Sequence, residues 1–140
     1  MEKLLPENTK FVKIQKITDH HDGVLFVAEA EKNIPFEIKR VFFITDLNNA
    51  NAIRGMHAHR NLEQVIFCIN GKCRITIDDG YRKQNILLSN PREGIFIGKM
   101  VWNILSEFSD DCILLVFASD FFDEQDYIRD YQEFLYYVRK

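Results

Sequence analysis

The run Arg54-Gly55-Met56-His57-Ala58-His59-Arg60-Asn61-Leu62-Glu63 holds two of the chain's four histidines, two residues apart, with a carboxylate four further on. Successive side chains of an extended strand point to opposite faces, so residues i and i+2 share one. An extended segment here sets His57 and His59 side by side. Two imidazoles on one wall of a cavity have two chemistries open to them. They can bind a metal ion, or they can move protons, because histidine titrates near neutral pH. The other two histidines fall in Asp19-His20-His21-Asp22-Gly23, a stretch with the composition of a turn.

The elements that must position this pair read almost entirely as strands. Apolar runs or alternations mark residues 11–17, 24–30, 38–45, 64–70, 72–78, 84–88, 94–97, 101–105 and 112–118. Cys73, Ile75 and Ile77 alternate with Lys72, Arg74 and Thr76, as in a strand with one solvated face. Asn70-Gly71 and Asp79-Gly80 are two-residue hairpin signals. The first would set Cys68 opposite Cys73 with Cβ atoms about 4.5–5.5 Å apart, close enough for a disulfide. The cysteine count of three (Cys68, Cys73, Cys112) argues instead for reduced, buried thiols. Near the end the pattern changes. Asp123, Glu124 and Asp126 suit a helix N-terminus, and Tyr127, Ile128, Tyr131, Phe134, Leu135 and Val138 recur at helical spacing. The expectation is one all-β domain, residues 1–140, a sandwich or barrel with a short C-terminal helix.

The bulk properties narrow the partners. A chain of 140 residues, 46% apolar with twelve Phe, can bury a real core and is no disordered segment. Its net charge is −3 and its Lys and Arg are dispersed, so neither nucleic acid nor an anionic membrane surface is an expected partner. No apolar run approaches the roughly 20 residues of a spanning helix. The first residues lack a signal-peptide apolar region, and a cytoplasmic protein is expected.

The spacing His57-x-His59-x3-Glu63-x7-Gly71 resembles the first motif of the cupins, small jelly-roll β-barrels with these residues in their cavity. The second cupin motif, Pro-x-Gly-x-x-His, corresponds to Gly98-Lys99-Met100-Val101-Trp102-Asn103, with Asn103 at the histidine position. Metal cupins offer three histidines and a carboxylate. Two histidines and one carboxylate can hold non-haem iron, so a metal-dependent oxygenase or isomerase is one alternative. Asn is a poor ligand for such an ion, and no metal is expected.

A closer resemblance spans nearly the whole chain. The segments residues 33–44 (Asn-Ile-Pro-Phe-Glu-Ile-Lys-Arg-Val-Phe-Phe-Ile), Arg54-Gly55-Met56-His57-Ala58-His59, Leu62-Glu63-Gln64-Val65, Ala118-Ser119-Asp120-Phe121-Phe122-Asp123-Glu124 and Asp126-Tyr127-Ile128-Arg129 resemble, in this order, the sugar 3,4-ketoisomerases. The resemblance implies a metal-independent enzyme acting on dTDP-4-keto-6-deoxyglucose. It implies a homodimer with exchanged strands. It also implies a product passed to a PLP-dependent aminotransferase, which makes 3-amino-3,6-dideoxy sugars for surface glycans such as O-antigen or S-layer chains. Moving a carbonyl from C4 to C3 needs proton transfer through an enediol and no net redox. The chain has no Gly-rich dinucleotide motif, and no cofactor is expected.

Roles follow from that chemistry. His59 is the expected base at C3 and His57 the partner that donates or relays a proton. Glu63 is expected to orient an imidazole. Arg54 and Arg40 suit the diphosphate, because guanidinium forks match phosphate oxygens. Gln64 suits thymine or sugar hydroxyls, and Asn103 and Trp102 are candidates to line the cavity. In many relatives an Arg precedes the glycine at position 23, where this chain has Asp22. That loop is expected to decide which face of the enediol is protonated, with His21 as a candidate donor. A dTDP-sugar 3,5-epimerase and a non-catalytic sugar-binding cupin are the remaining alternatives.

Overall fold

The computed structural model describes residues 4–49 and 51–140. Its strands are β1 (Thr9–Lys13), β2 (Gln15–Asp19), β3 (Gly23–Val27), β4 (Arg40–Ile44), β5 (Arg54–His59), β6 (Gln64–Asn70), β7 (Cys73–Asp78), β8 (Lys83–Leu88), β9 (Glu93–Ile97), β10 (Trp102–Ser106), β11 (Ile113–Ala118) and β12 (Tyr127–Ile128), followed by helix α1 (Tyr131–Val138). Two five-stranded antiparallel sheets, β1-β9-β6-β11-β4 and β12-β5-β10-β7-β8, face each other. Sequential strands repeatedly cross from one sheet to the other. This is a jelly roll with one short helix, the fold class expected above.

Alternation decides what each sheet buries. Ile66, Cys68, Leu114 and Val116 from the first sheet meet Cys73, Ile75 and Ile77 from the second in the inter-sheet core. Val65 and Phe67 point the other way, onto Val12, Ile34 and Phe36 on the outer face of the first sheet. β6 is therefore covered on both faces, which explains its unbroken apolar run. On the outer face of the second sheet, Ala58, Trp102, Ile128 and Phe134 form a third cluster beneath α1. Trp102 is thus core, on the opposite face of β10 from Asn103.

The structure corrects three local expectations. Residues 11–17 are not one strand: β1 pairs with β9, and β2 leaves with β3 as a separate hairpin. Asn70-Gly71 is not a hairpin turn, because β6 and β7 lie in different sheets. Gly71 (φ +72°) instead carries the chain between sheets, and a Cβ there would collide with Ser109 Oγ. All three thiols are free and buried. Asp79-Gly80 does lie in the turn joining β7 to β8, which pair directly.

The third correction matters most for function. The helix begins at Tyr131, with the Asp130 side chain accepting the Glu133 N–H, and not at Asp123. Residues Glu124–Asp126 form a 3-10 turn capped by Asp123. Tyr127 and Ile128 then run extended, pairing with His59 and Ala58 of β5. Their apolar spacing suits a helix, but the free edge of β5 and the slot that Ile128 fills beside Ala58 and Phe134 take them as a strand.

Candidate active site

The site is built on β5, and its local sequence explains its shape. Opposite β10, Asn103 pairs with His57 but Ile104 pairs with Gly55, so Met56 is an extra residue. This β-bulge needs positive φ at Gly55 (+80°) and Met56 (+58°). A Cβ at Gly55 would sit 2.9 Å from the Asn103 carbonyl oxygen, so only glycine fits. Past the bulge, regular alternation points both His57 and His59 inward.

They face a cavity of about 150 Å³ between the sheets, walled also by Arg40, Arg54, Gln64, Asn103 and Tyr127, with Phe42, Ile44, Ile66, Leu105 and Val116 as its apolar lining. Six of the residues singled out in the sequence (His57, His59, Arg40, Arg54, Gln64 and Asn103) meet here from four strands. Three do not. Glu63 is half-buried, exchanges hydrogen bonds with Ser119 through its backbone, and does not line the cavity. His21 (φ +69°) and Asp22 lie exposed in the β2–β3 turn, outside the cavity of their own chain.

The carboxylate beside the imidazoles is Asp126, where Glu63 was expected. Its Oδ2 lies 3.1 Å from His59 Nδ1. The same carboxylate accepts the Asn61 and Leu62 N–H groups at 2.7 and 3.1 Å, which fixes it in place. His57 Nδ1 lies 3.1 Å from the Gly55 carbonyl oxygen. With an acceptor at each Nδ1, the neutral rings carry their proton there and keep Nε2 as a bare base. The two rings meet edge to face at 4.9 Å, and Tyr127 packs on both, at 4.9 and 4.4 Å. Arg129 covers Tyr127 at 4.2 Å and is itself held by both oxygens of Glu124.

Burial and the neighbouring His59 push the His57 imidazole down to about 4. Burial also lowers His59, opposed by the hydrogen bond and charge of Asp126. Both are therefore neutral at pH 7 and able to accept protons. The acid limb of kcat/KM is expected below pH 6.5, and a limb at or above 6.5 would mean solvated imidazoles. Stability follows the same sign. As pH falls below 6.5 the unfolded chain takes up a proton that folded His57 refuses until about pH 4. That residue then removes up to about 3 kcal/mol of stability over this window, measurable by denaturant titration.

The polar wall also suits an oxygen-rich ligand. Arg40 Nε is buried and has no hydrogen-bond partner among the described residues. A buried unpaired donor is costly, so this geometry calls for an acceptor from outside the chain. Asn103 is 1% exposed and donates from Nδ2 to the His57 carbonyl oxygen at 3.3 Å. These residues do not make the metal set of a cupin. Asn103 replaces one histidine, Glu63 lies elsewhere, and Asp126 is engaged by His59 and two backbone N–H groups. A larger groove of about 450 Å³ lies on the outer face of the first sheet, but Ile14, Phe26, Ala28, Phe67, Ile69, Pro91, Leu115 and Phe117 give it no acid–base group.

Asp126 and Tyr127 were missed as site residues. The available signal was the Asp126-Tyr127-Ile128-Arg129 segment of the family resemblance, which helical spacing had assigned to packing.

Comparison with known proteins agrees with this geometry. The family described as FdtA, WxcM-like, C-terminal, matches residues 7–139. A TDP-4-oxo-6-deoxy-alpha-D-glucose-3,4-oxoisomerase of Aneurinibacillus thermoaerophilus is 47% identical over 131 residues, 94% of this chain and 93% of that protein. A 3,4-ketoisomerase from Helicobacter canadensis superposes with a TM-score of 0.90 at 43% identity, covering 95% of this chain and 98% of that one. A mutant of the 3,4-ketoisomerase from Thermoanaerobacterium thermosaccharolyticum, solved with TDP-4-keto-6-deoxyglucose, matches with a TM-score of 0.92 at 36% identity over 96% of both chains.

Proposed function

We infer the reaction from the premise that this chain belongs to the FdtA, WxcM-like C-terminal, family: it is a sugar-nucleotide 3,4-ketoisomerase. The substrate is dTDP-4-keto-6-deoxyglucose, by similarity to the relatives named above. The observation that carries the reading is the pair of neutral imidazoles on one wall of a cavity of about 150 Å³, each with Nδ1 engaged and Nε2 without a partner among the described residues.

The mechanism uses what this wall offers. The C3 hydrogen is α to the C4 ketone, and His59 Nε2 removes it while Asp126 stabilises the imidazolium that forms. Charge passes to O4, giving an enediolate. His57 relays the proton leaving O3 to O4, and a proton delivered to C4 completes a 3-keto sugar. One proton is lost and one gained at carbon, so the scheme is redox-neutral. Gln64 and Asn103 hold the sugar, and Arg40 and Arg54 take the diphosphate.

The β2–β3 hairpin bears on the dimer. Among the described residues it pairs with no third strand, and Ile17, Val24 and Leu25 are 43–57% exposed on it. Val41 and Phe43 are likewise exposed on edge strand β4. A second copy of the chain covers these surfaces in this reading, exchanging strands and bringing His21 and Asp22 to the partner's cavity, where His21 protonates the enediol at C4. Leu25→Asp is expected to give a monomer by sedimentation with strongly reduced turnover; a fully active monomer would end this part of the proposal.

The product suits a PLP-dependent aminotransferase, which would make 3-amino-3,6-dideoxy sugars for surface glycans. No helix among the described residues is long and apolar enough to cross a membrane. The free thiols and a nucleotide-sugar substrate fit a cytoplasmic location.

The deciding experiment is NMR of the sugar nucleotide after incubation in deuterium oxide. The expected product has its ketone at C3 and deuterium at C4. Deuterium at C3 and C5 with the ketone still at C4 would mean a 3,5-epimerase. Tight binding without exchange would mean a non-catalytic binder. Activity that a chelator abolishes and one metal restores would favour the metal-dependent alternative.

A further inference from the structure

Below the catalytic cavity, in the same inter-sheet core, the Sγ atoms of Cys68, Cys73 and Cys112 all lie within 4.8 Å of one another. The three come from β6, the start of β7 and the residue before β11, so both sheets contribute. All are at most 1% exposed. Among the described residues this is the one group of three His, Cys, Asp or Glu side chains with ligand spacing. The proposed mechanism uses none of them.

Three points no more than 4.8 Å apart have a common centre within about 2.8 Å of each, and a zinc–thiolate bond is about 2.3 Å. Small sulfur movements therefore suffice to ligate one ion. Cys68 Sγ and Cys112 Sγ are already 3.6 Å apart, and Cys68 Sγ lies 3.2 Å from the Asn70 carbonyl oxygen. Sulfur-only donors select soft cations over magnesium or calcium. We propose that Cys68, Cys73 and Cys112 form a three-thiolate site for one thiophilic d10 cation, of the zinc, cadmium or copper(I) class, separate from the catalytic cavity.

The cation displaces the three thiol protons into solvent. Three S–H bonds become three S–metal bonds with no change of oxidation state. The turn at Gly71, between Cys68 and Cys73, is tied to the 109–111 loop that precedes Cys112 by hydrogen bonds from the Lys72 N–H to Ser109 Oγ and from Asn70 Nδ2 to the Asp111 carbonyl oxygen.

The test is cadmium titration of the purified, chelator-treated enzyme, followed by the ultraviolet thiolate-to-cadmium charge-transfer band, proton release and melting temperature. The expected result is one cadmium per chain, a band of three-thiolate strength, a raised melting point and unchanged isomerase activity. The single variants Cys68→Ala, Cys73→Ala and Cys112→Ala are expected to bind at least about 10-fold more weakly and to show a reduced band. Retained turnover reports that each variant still folds. No band in the native enzyme would overturn the proposal, as would an undiminished band in any one folded variant.

Discussion

Replacing His59 by Asn is expected to lower kcat by about 10²–10⁴-fold, the usual cost of losing a general acid or base. The substitution is chosen for what it keeps. His59 is 4% exposed, so truncation to Ala would also leave a hole beside Tyr127 and take one of three hydrogen-bond partners from the Asp126 carboxylate. An Asn side chain can donate to Asp126 from its amide, keeping the carboxylate paired, but no longer presents a basic nitrogen to C3. The fold should survive, with circular dichroism unchanged and nucleotide-sugar binding retained. Near-native turnover in that folded variant would remove His59 from proton transfer and move the burden to His57.

Asp126→Asn is the second large effect, a fall in kcat of about 10²-fold with KM little altered. A partner that fixes the tautomer and orientation of an imidazole is worth about this much or more. Asn can still accept one backbone N–H from Asn61 or Leu62 through its carbonyl oxygen. It cannot offer His59 Nδ1 a negative acceptor. Two readouts separate positioning from packing. Asp126 is what holds the His59 imidazole up against burial, so its loss should move the acid limb to still lower pH. Asp126→Glu should restore part of the rate. A variant with a lowered melting point but normal kcat and pH profile would reduce Asp126 to a structural clasp.

Much of this site was legible from spacing alone. The separation of His57 and His59 fixed their common face, and the Cys73-Ile75-Ile77 alternation fixed the inward face of β7. The gathering of Arg40, Arg54, Gln64 and Asn103 rested on the family resemblance, because four strands must converge to bring them together. Asp126 was not legible. It lies 67 positions from His59, and its neighbours Tyr127 and Ile128 satisfy a helical pattern and a strand equally well. Only the open edge of β5 decides between them. Glu63 fits the motif spacing, yet Gln64 beside it is the residue that faces the cavity. Asn70-Gly71 has the chemistry of a hairpin turn, but its flanking strands belong to different sheets. Turn residues report a local bend and not the partner on the far side of it.

The bulge at Met56 has a consequence for how this site tolerates change. Arg54 and His57 are three positions apart, an odd separation that ordinary strand parity would send to opposite faces. Because Met56 is uncounted in the ladder, both reach the cavity. The wall therefore depends on a count of residues as much as on their kinds. Deleting Met56 would leave Arg54 and His57 two apart, which regular parity keeps on one face, whereas a change that draws Met56 into the ladder forces one end of β5 to turn over. Either Arg54 leaves the cavity, or the two imidazoles rotate into the apolar cluster under the helix. Replacements that favour extended backbone at Met56, whose φ is +58°, are therefore the damaging ones, and Met56→Thr should lower kcat/KM more than Met56→Gly.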